Sequence, residues 1–214
     1  TVPYTLRNPL YHWTHLELKK FFGIDKVLSP ATAREVWETC NAKLNTPEYS
    51  CRNIIRMANV HTICTTDDPV DSLEYHRQIK ASGFEVAVLP AWRPDKAMMV
   101  ENPESFNAYV DKLGEAANID IETFNDFMDA IDNRHQFFHE NGCRLSDHGL
   151  ETAYAEDYTE KEIQAIFAKV RKGQSLSQEE VLKFKSCMLY EFGIMDHSRG
   201  WTQQFHLGAL RNNN

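Results

Sequence analysis

No run of about 18 uninterrupted apolar residues occurs in this 214-residue sequence, so no helix within it is expected to span a membrane. Positive charge is also in short supply. Lys and Arg number 23 against 31 Asp and Glu, a net charge of −8 with His neutral. That balance argues against a nucleic-acid partner, which would call for a basic face. It leaves room for an anionic small molecule, for which one or two local arginines suffice. Cysteine is sparse and scattered: Cys40, Cys51, Cys64, Cys143 and Cys187 form no CxxC pair, and five such residues read as reduced thiols. The sequence contains no G-x-G-x-x-G, Walker A, G-x-S-x-G or H-E-x-x-H. Dinucleotide, P-loop, serine-hydrolase and zincin readings therefore lack support. It opens on Thr1 with neither a charged n-region nor an apolar h-region, so no secretory signal is expected.

What is present is enough for a real core: 42% hydrophobic residues, with 11% aromatic. The first quarter reads as helical. Leu10, Trp13, Leu16, Phe21 and Phe22 recur on a rough 3–4 period ahead of Gly23, which predicts a helix over 10–22. Ser29-Pro30 is expected to open a second helix, with Ser29 as its cap, and Pro47 to end it. A short helix is expected over 52–58.

Beyond that the period changes. Residues 60–66 are rich in β-branched side chains and too short for a buried helix, and 84–91 are similar, so both read as strands. Further strands are expected over 143–146 and 202–207. Helices are expected over 70–82, 103–117, 121–141, 160–171 and 177–192, the last opened by a Ser177/Glu180 capping box. Strands alternating with helices are the mark of parallel βα units, as in a doubly wound sheet or part of a (β/α)8 barrel.

Polar residues collect where these strands end, the rim on which α/β barrels build their sites. Asp67-Asp68-Pro69 follows the first strand; Asp68 reads as a helix cap, and Asp67 as a cap or as a residue orienting a neighbouring His or Arg. Trp92-Arg93-Pro94-Asp95-Lys96 follows the second. Pro94 keeps Arg93 out of helical geometry, and its fixed, planar charge suits a carboxylate or phosphate. The plainer alternative is a salt bridge to Asp95 or Asp67. Ser146-Asp147-His148-Gly149 sets an acid beside a His, and alternation along an extended segment lets only one of them enter a pocket. His206 alternates with Phe205 and Leu207, which makes it a candidate to hold a substrate hydroxyl or polarise a carbonyl. Arg211 lies beyond Gly208, and with Arg93 it would make a locally positive pocket for an anion. His12 and His15 share a helix face, a spacing that suits a metal, but a structural role fits them better because no third ligand lies nearby.

Five segments together resemble the uronate (glucuronate) isomerases of the amidohydrolase superfamily. They are Asn8-Pro9-Leu10-Tyr11-His12-Trp13-Thr14-His15-Leu16-Glu17-Leu18, Thr65-Thr66-Asp67-Asp68-Pro69, Ala91-Trp92-Arg93-Pro94-Asp95-Lys96, Ser146-Asp147-His148-Gly149-Leu150 and the run from Phe205 to Asn214. They stand in the family's order and span nearly the whole sequence. The resemblance implies an α/β fold: part of a distorted (β/α)8 TIM-like barrel, strands two to five, over 60–214, with a helical insertion subdomain over 1–59. It implies an aldose–ketose isomerase that interconverts D-glucuronate with D-fructuronate and D-galacturonate with D-tagaturonate in cytoplasmic sugar-acid catabolism. The partner it implies is the uronic acid itself, with no nucleic acid or membrane, in a homo-oligomer.

By the same resemblance Arg93 and Arg211 form a carboxylate clamp, His206 is a catalytic substrate contact, and Trp92, Asp147 and His148 line the substrate site. The family's His-x-His is missing from this sequence. The expectation is therefore a central portion of the enzyme, inactive alone, with the ligands of a divalent metal such as zinc outside this chain. Two alternatives stay open: a metal-dependent hydrolase of the same superfamily, and a non-catalytic module binding acidic sugars.

Overall fold

The computed structural model describes residues 2–208. The chain divides into two compact units, Thr1–His61 and Thr62–Asn214. Among the described residues no helix is long and apolar enough to cross a membrane.

The first unit is built from helices. Asn8 caps α1 (Pro9–Phe22) by accepting from the Leu10 N–H at 2.9 Å, and the helix stops at Gly23, whose φ of 68° lies in the left-handed region. α2 (Ala33–Leu44) starts later than the Ser29-Pro30 pair predicts. Thr32 takes the cap position, and the Ser29 N–H donates to the Thr32 hydroxyl at 2.9 Å. Residues 29–32 thus close a turn, because proline suits a turn as well as it suits a first helical residue. α3 (Cys51–Met57) follows a short 3-10 turn at Pro47–Tyr49. His15 is satisfied on both ring nitrogens, Nδ1 with the Tyr11 carbonyl at 2.6 Å and Nε2 with the Leu28 N–H at 2.9 Å. It holds α1 to the following loop and has no lone pair left for a metal.

The second unit alternates strand and helix: β1 (Thr62–Cys64), α4 (Glu74–Ala81), β2 (Ala87–Leu89), α5 (Pro103–Ala117), α6 (Phe124–Glu140), β3 (Leu145–Leu150), α7 (Glu160–Arg171), α8 (Gln178–Ser198) and β4 (Thr202–Leu207). β1 pairs with β2 and β3 with β4, both parallel. A single parallel bridge from Asp67 to Trp92 prolongs the first pair, and one from Trp92 to Ser146 connects it to the second. The backbone of Trp92 is the stitch: its N–H donates to the Leu145 carbonyl at 3.1 Å and its carbonyl accepts from Asp147 at 2.8 Å.

Local chemistry explains most boundaries. Thr123, Thr159 and Ser177 each open a helix with a complete capping box. α4 begins at Glu74 rather than at residue 70, because Leu73 sits in the left-handed region at φ 55°. Asp68 therefore caps no helix. Its carboxylate accepts from the Val70 N–H at 3.2 Å and the Tyr109 hydroxyl at 3.1 Å, and pairs with Lys96 at 3.1 Å. β3 starts at Leu145 and runs to Leu150, so Asp147 and His148 lie inside a strand and not past its end.

The core lies among the helices. Phe106, Phe127, Phe167 and Phe184, one from each of α5 to α8, are fully buried, with Phe127 and Phe167 5.3 Å apart and Phe106 and Phe184 5.9 Å apart. Each such ring contributes about 2 kcal/mol or more through burial. This cluster fixes the helices that back β3, and β3 carries the polar residues of interest.

Candidate functional site

The two faces of β3 have separate chemistry. Successive strand residues point to opposite sides, so Ser146 and His148 share one face and Asp147 and Gly149 the other. The parallel register pairs Asp147 with Gln204 and Gly149 with His206. Asp147, Gln204 and His206 are therefore on a common face.

Arg93 joins that face from the end of β2. Its Nε donates to Asp95 Oδ2 at 3.0 Å, and its Nη1 lies 3.3 Å from Asp147 Oδ2. Asp147 reaches the other way as well, with Oδ1 3.1 Å from His206 Nδ1, an ion-pair distance without hydrogen-bond alignment. Gln204 and His206 meet through their Nε2 atoms at 2.9 Å. The amide must donate there, so His206 Nε2 carries the lone pair and Nδ1 the proton, on the side of the ring nearest Asp147. Asp147 is only 6% exposed, so its charge is shielded from water by protein and balanced by Arg93.

The other face is turned to the helices and is buried. Asp196 of α8 accepts from the Ser146 hydroxyl at 2.5 Å and from His135 Nε2 at 2.9 Å. His148 Nε2 lies 3.1 Å from the same Ser146 oxygen. Because Ser146 spends its proton on Asp196, His148 must donate, which leaves its Nδ1 bare. That nitrogen faces Asp95 Oδ1 across 3.7 Å, and neither atom has a hydrogen-bond partner. Burial pushes the pKa of His148 and of His135 down, with only partial compensation from Asp95 and Asp196 respectively. Both rings are accordingly neutral at neutral pH.

The residues singled out from sequence thus fall into two groups and one remainder. Arg93, Asp147 and His206 are brought together. His148 and Trp92 are not on that face. Trp92 is fully buried with its ring edge-on to His135 at 5.2 Å and to Phe138 at 4.9 Å, and His148 stacks on Phe192 at 5.8 Å. Both are expected to line the substrate site, and strand alternation instead turns each away from the Arg93–Asp147–His206 face, because each neighbours a residue on that face. Arg211 lies outside the described residues. Asp67 reaches a histidine only through Thr65, whose Oγ1 donates to Asp67 at 2.6 Å and meets His76 Nε2 of α4 at 2.7 Å.

Sequence reasoning gave Asp95 only the part of a salt-bridge partner and passed over Asp196, His135 and Gln204. Gln204 was legible in principle, two residues before His206 on the same face. His135 and Asp196 lie mid-helix and late in a helix, 61 positions apart, with no local signal to join them.

The whole chain, residues 1–214, matches a family model described as glucuronate isomerase. The chain belongs to that family. Relatives similar to it include the uronate isomerases of Bacteroides thetaiotaomicron, 63% identical over 214 residues, and of Phocaeicola vulgatus, 62% identical over 214 residues. Each alignment takes in 100% of this chain and 46% of the relative, so the chain spans about half the length of the relatives it matches. Two crystal structures are similar throughout. A uronate isomerase from Thermotoga maritima has a TM-score of 0.92 at 40% identity, over 99% of this chain and 46% of that one. A glucuronate isomerase from Caulobacter crescentus has a TM-score of 0.90 at 29% identity, over 99% and 44%.

A divalent metal was expected on ligands outside this chain. Among the described residues no three His, Cys, Asp or Glu side chains gather as a metal site, and the carboxylate beside His206 is already paired with Arg93. These residues do not fit a metal, and no chemical step is derived through one.

Proposed function

We propose that this chain carries the carboxylate-binding part of a uronate isomerase, which converts D-glucuronate to D-fructuronate and D-galacturonate to D-tagaturonate. The observation that carries the reading is the common face of Arg93, Asp147 and His206: a fixed cation beside an oriented imidazole. A uronate has a carboxylate at one end and the reacting C1–C2 pair at the other. Arg93 would take the carboxylate, with Arg211 as the second half of the clamp, because a guanidinium edge matches a carboxylate in both charge and shape.

Aldose–ketose interconversion moves a proton between C2 and C1 while the O1/O2 pair changes oxidation level, through a cis-enediol. His206 is the candidate to meet that oxygen pair. With the Nδ1 proton on the side near Asp147, Nε2 is the nitrogen offered to a substrate hydroxyl, which would displace the exposed Gln204 amide. Anchoring the remote carboxylate supplies orientation, which is a large share of what an isomerase must provide.

The parallel strands with their intervening helices suit four successive strands, two to five, of a (β/α)8 barrel, whose polar rim is where such sites lie. On this reading a divalent metal belongs to residues outside this chain. The test is turnover and binding together. The whole protein should form ketose from D-glucuronate, and the 214-residue chain alone should not. Isomerisation by the chain alone at the whole protein's rate would sink the division of labour proposed. Release of a hydrolysis product with no ketose would point to a hydrolase of the same architecture.

A further inference from the structure

The polar atoms beneath Arg93 fall into two hydrogen-bonded groups that face each other. Arg93 Nε donates to Asp95 Oδ2, which also accepts from the Gly149 N–H at 3.0 Å. Asp95 Oδ1 faces His148 Nδ1, His148 donates to Ser146, and Ser146 donates to Asp196, which His135 braces from α6. Five side chains from four separate elements thus lie behind the candidate anion clamp, and the 3.7 Å between Asp95 and His148 is closed by no hydrogen bond. We infer that Asp95 is a positioning residue: it aims Arg93 at the substrate carboxylate, and the Gly149 N–H of β3 holds Asp95 in register. This rests on the clamp reading of Arg93 and adds to it which part of the fork the substrate meets.

The geometry makes the claim specific. With Nε taken by Asp95, the side edge of the guanidinium, Nε with Nη2, is closed to a bidentate ligand. Asp147 lies beside Nη1, and among the described residues Nη2 has no hydrogen-bond partner. A uronate carboxylate is therefore received at the terminal nitrogens only, which sets one angle of approach. A single oxygen of Asp95 serves both Arg93 and Gly149, so the ends of β2 and β3 are pinned at one point. That point also keeps Arg93 from turning wholly onto Asp147. The neighbouring His148 keeps a bare Nδ1, so it does not compete for the Asp95 charge while it is neutral, and burial favours the neutral form.

The experiment is steady-state kinetics on the whole protein carrying D95A, D95N, R93M and the R93M/D95A pair. The substrates are D-glucuronate and its neutral counterpart D-glucose, with uronate binding measured by calorimetry. D95A should raise KM for glucuronate at least tenfold and change kcat less than threefold. It should leave any weak binding of the neutral sugar unaltered, because that ligand does not use Arg93. D95N keeps an acceptor oxygen for both donors but not the charge, and should recover about half of the loss on a logarithmic scale, leaving KM at least twofold above that of the parent. In the R93M background D95A should add less than a twofold further rise, since a residue acting only through Arg93 has nothing left to aim.

If R93M itself leaves KM within twofold, the clamp reading has failed and the inference goes with it. If R93M raises KM but D95A and D95N do not, the clamp stands and the positioning role is overturned. The positioning role is likewise overturned if D95A weakens both sugars alike or adds fully to R93M. Should D95A prove too unstable to assay, D95N decides: a twofold or larger KM change confined to the uronate supports the role, and none overturns it.

Discussion

The backbone N–H of Asp147 donates to the carbonyl of Trp92 at 2.8 Å. This bond sets the register between the end of β2 and β3, and the register sorts the side chains. Trp92 and Ser146 bridge on the helix-facing side, so Arg93 and Asp147, the next residue of each strand, must emerge together on the other. The meeting of Arg93 with Asp147 is thus a consequence of parallel pairing and strand alternation.

Asp147 should matter to turnover more than to binding. Asp147→Asn keeps the volume but removes the charge that lies beside His206 Nδ1 and balances Arg93. We expect kcat to fall about 100-fold in the whole protein, in line with the loss of a general acid–base orientation, while KM changes by less than about fivefold. A KM effect larger than the kcat effect in steady-state assays would reassign Asp147 to substrate binding.

Trp92 should matter to folding and not to sugar recognition. Its indole is fully buried against His135 and Phe138. Trp92→Ala should cost about 3–5 kcal/mol in urea titration, the range for emptying a large aromatic site. Trp92→Phe, which refills most of the volume, should leave uronate KM within twofold. A tenfold KM change in that milder variant would restore the direct substrate contact.

Acid should weaken the second unit. His135 and His148 titrate below their ordinary value of 6.5 because burial disfavours the charged ring. The unfolded chain binds those protons first, so their stabilising contribution is complete above about pH 6.5 and is lost as pH falls towards the depressed values. Urea midpoints measured from pH 8 to pH 5 should decline on the acid side of 6.5. A His135→Gln/His148→Gln double variant should show a shallower decline, and an identical pH profile in that variant would remove these two residues as the cause.

Asp196 should be the costliest member of the buried series to lose. Asp196→Ala strands the Ser146 hydroxyl and the His135 N–H in the core, each worth about 1–3 kcal/mol when left unsatisfied. Asp196→Asn keeps one acceptor and should lose less. Thermal melts of the two variants check the order, and an Ala variant as stable as the Asn variant would show that water satisfies the stranded donors.

Much of this fold could be read from the order of residues alone. Thr159, Ser177 and Gly23 mark helix ends by chemistry confined to three or four neighbours, and α7 and β4 lie where period and caps predict them. Arg93 and His206 stood out because charge and alternation are visible in one dimension. Where prediction slipped, a longer-range or competing local choice intervened. Thr32 displaced Ser29 as a cap, Leu73 delayed α4 by adopting a left-handed conformation, and β3 lengthened because β4 and Trp92 supplied partners for its backbone.

The sequence by itself determined the alternation of strands and helices, the scarcity of positive charge, and the set of polar residues available at the strand ends. Those depend on side-chain type and on contacts a few residues apart. Only the tertiary structure decided which of Asp147 and His148 turns towards Arg93, that Trp92 is core, and that Asp95 is tied to both Arg93 and the Gly149 backbone. The reason is physical. Which face a strand residue takes depends on pairing with strands distant in the chain, and a one-residue shift in that pairing would exchange every assignment.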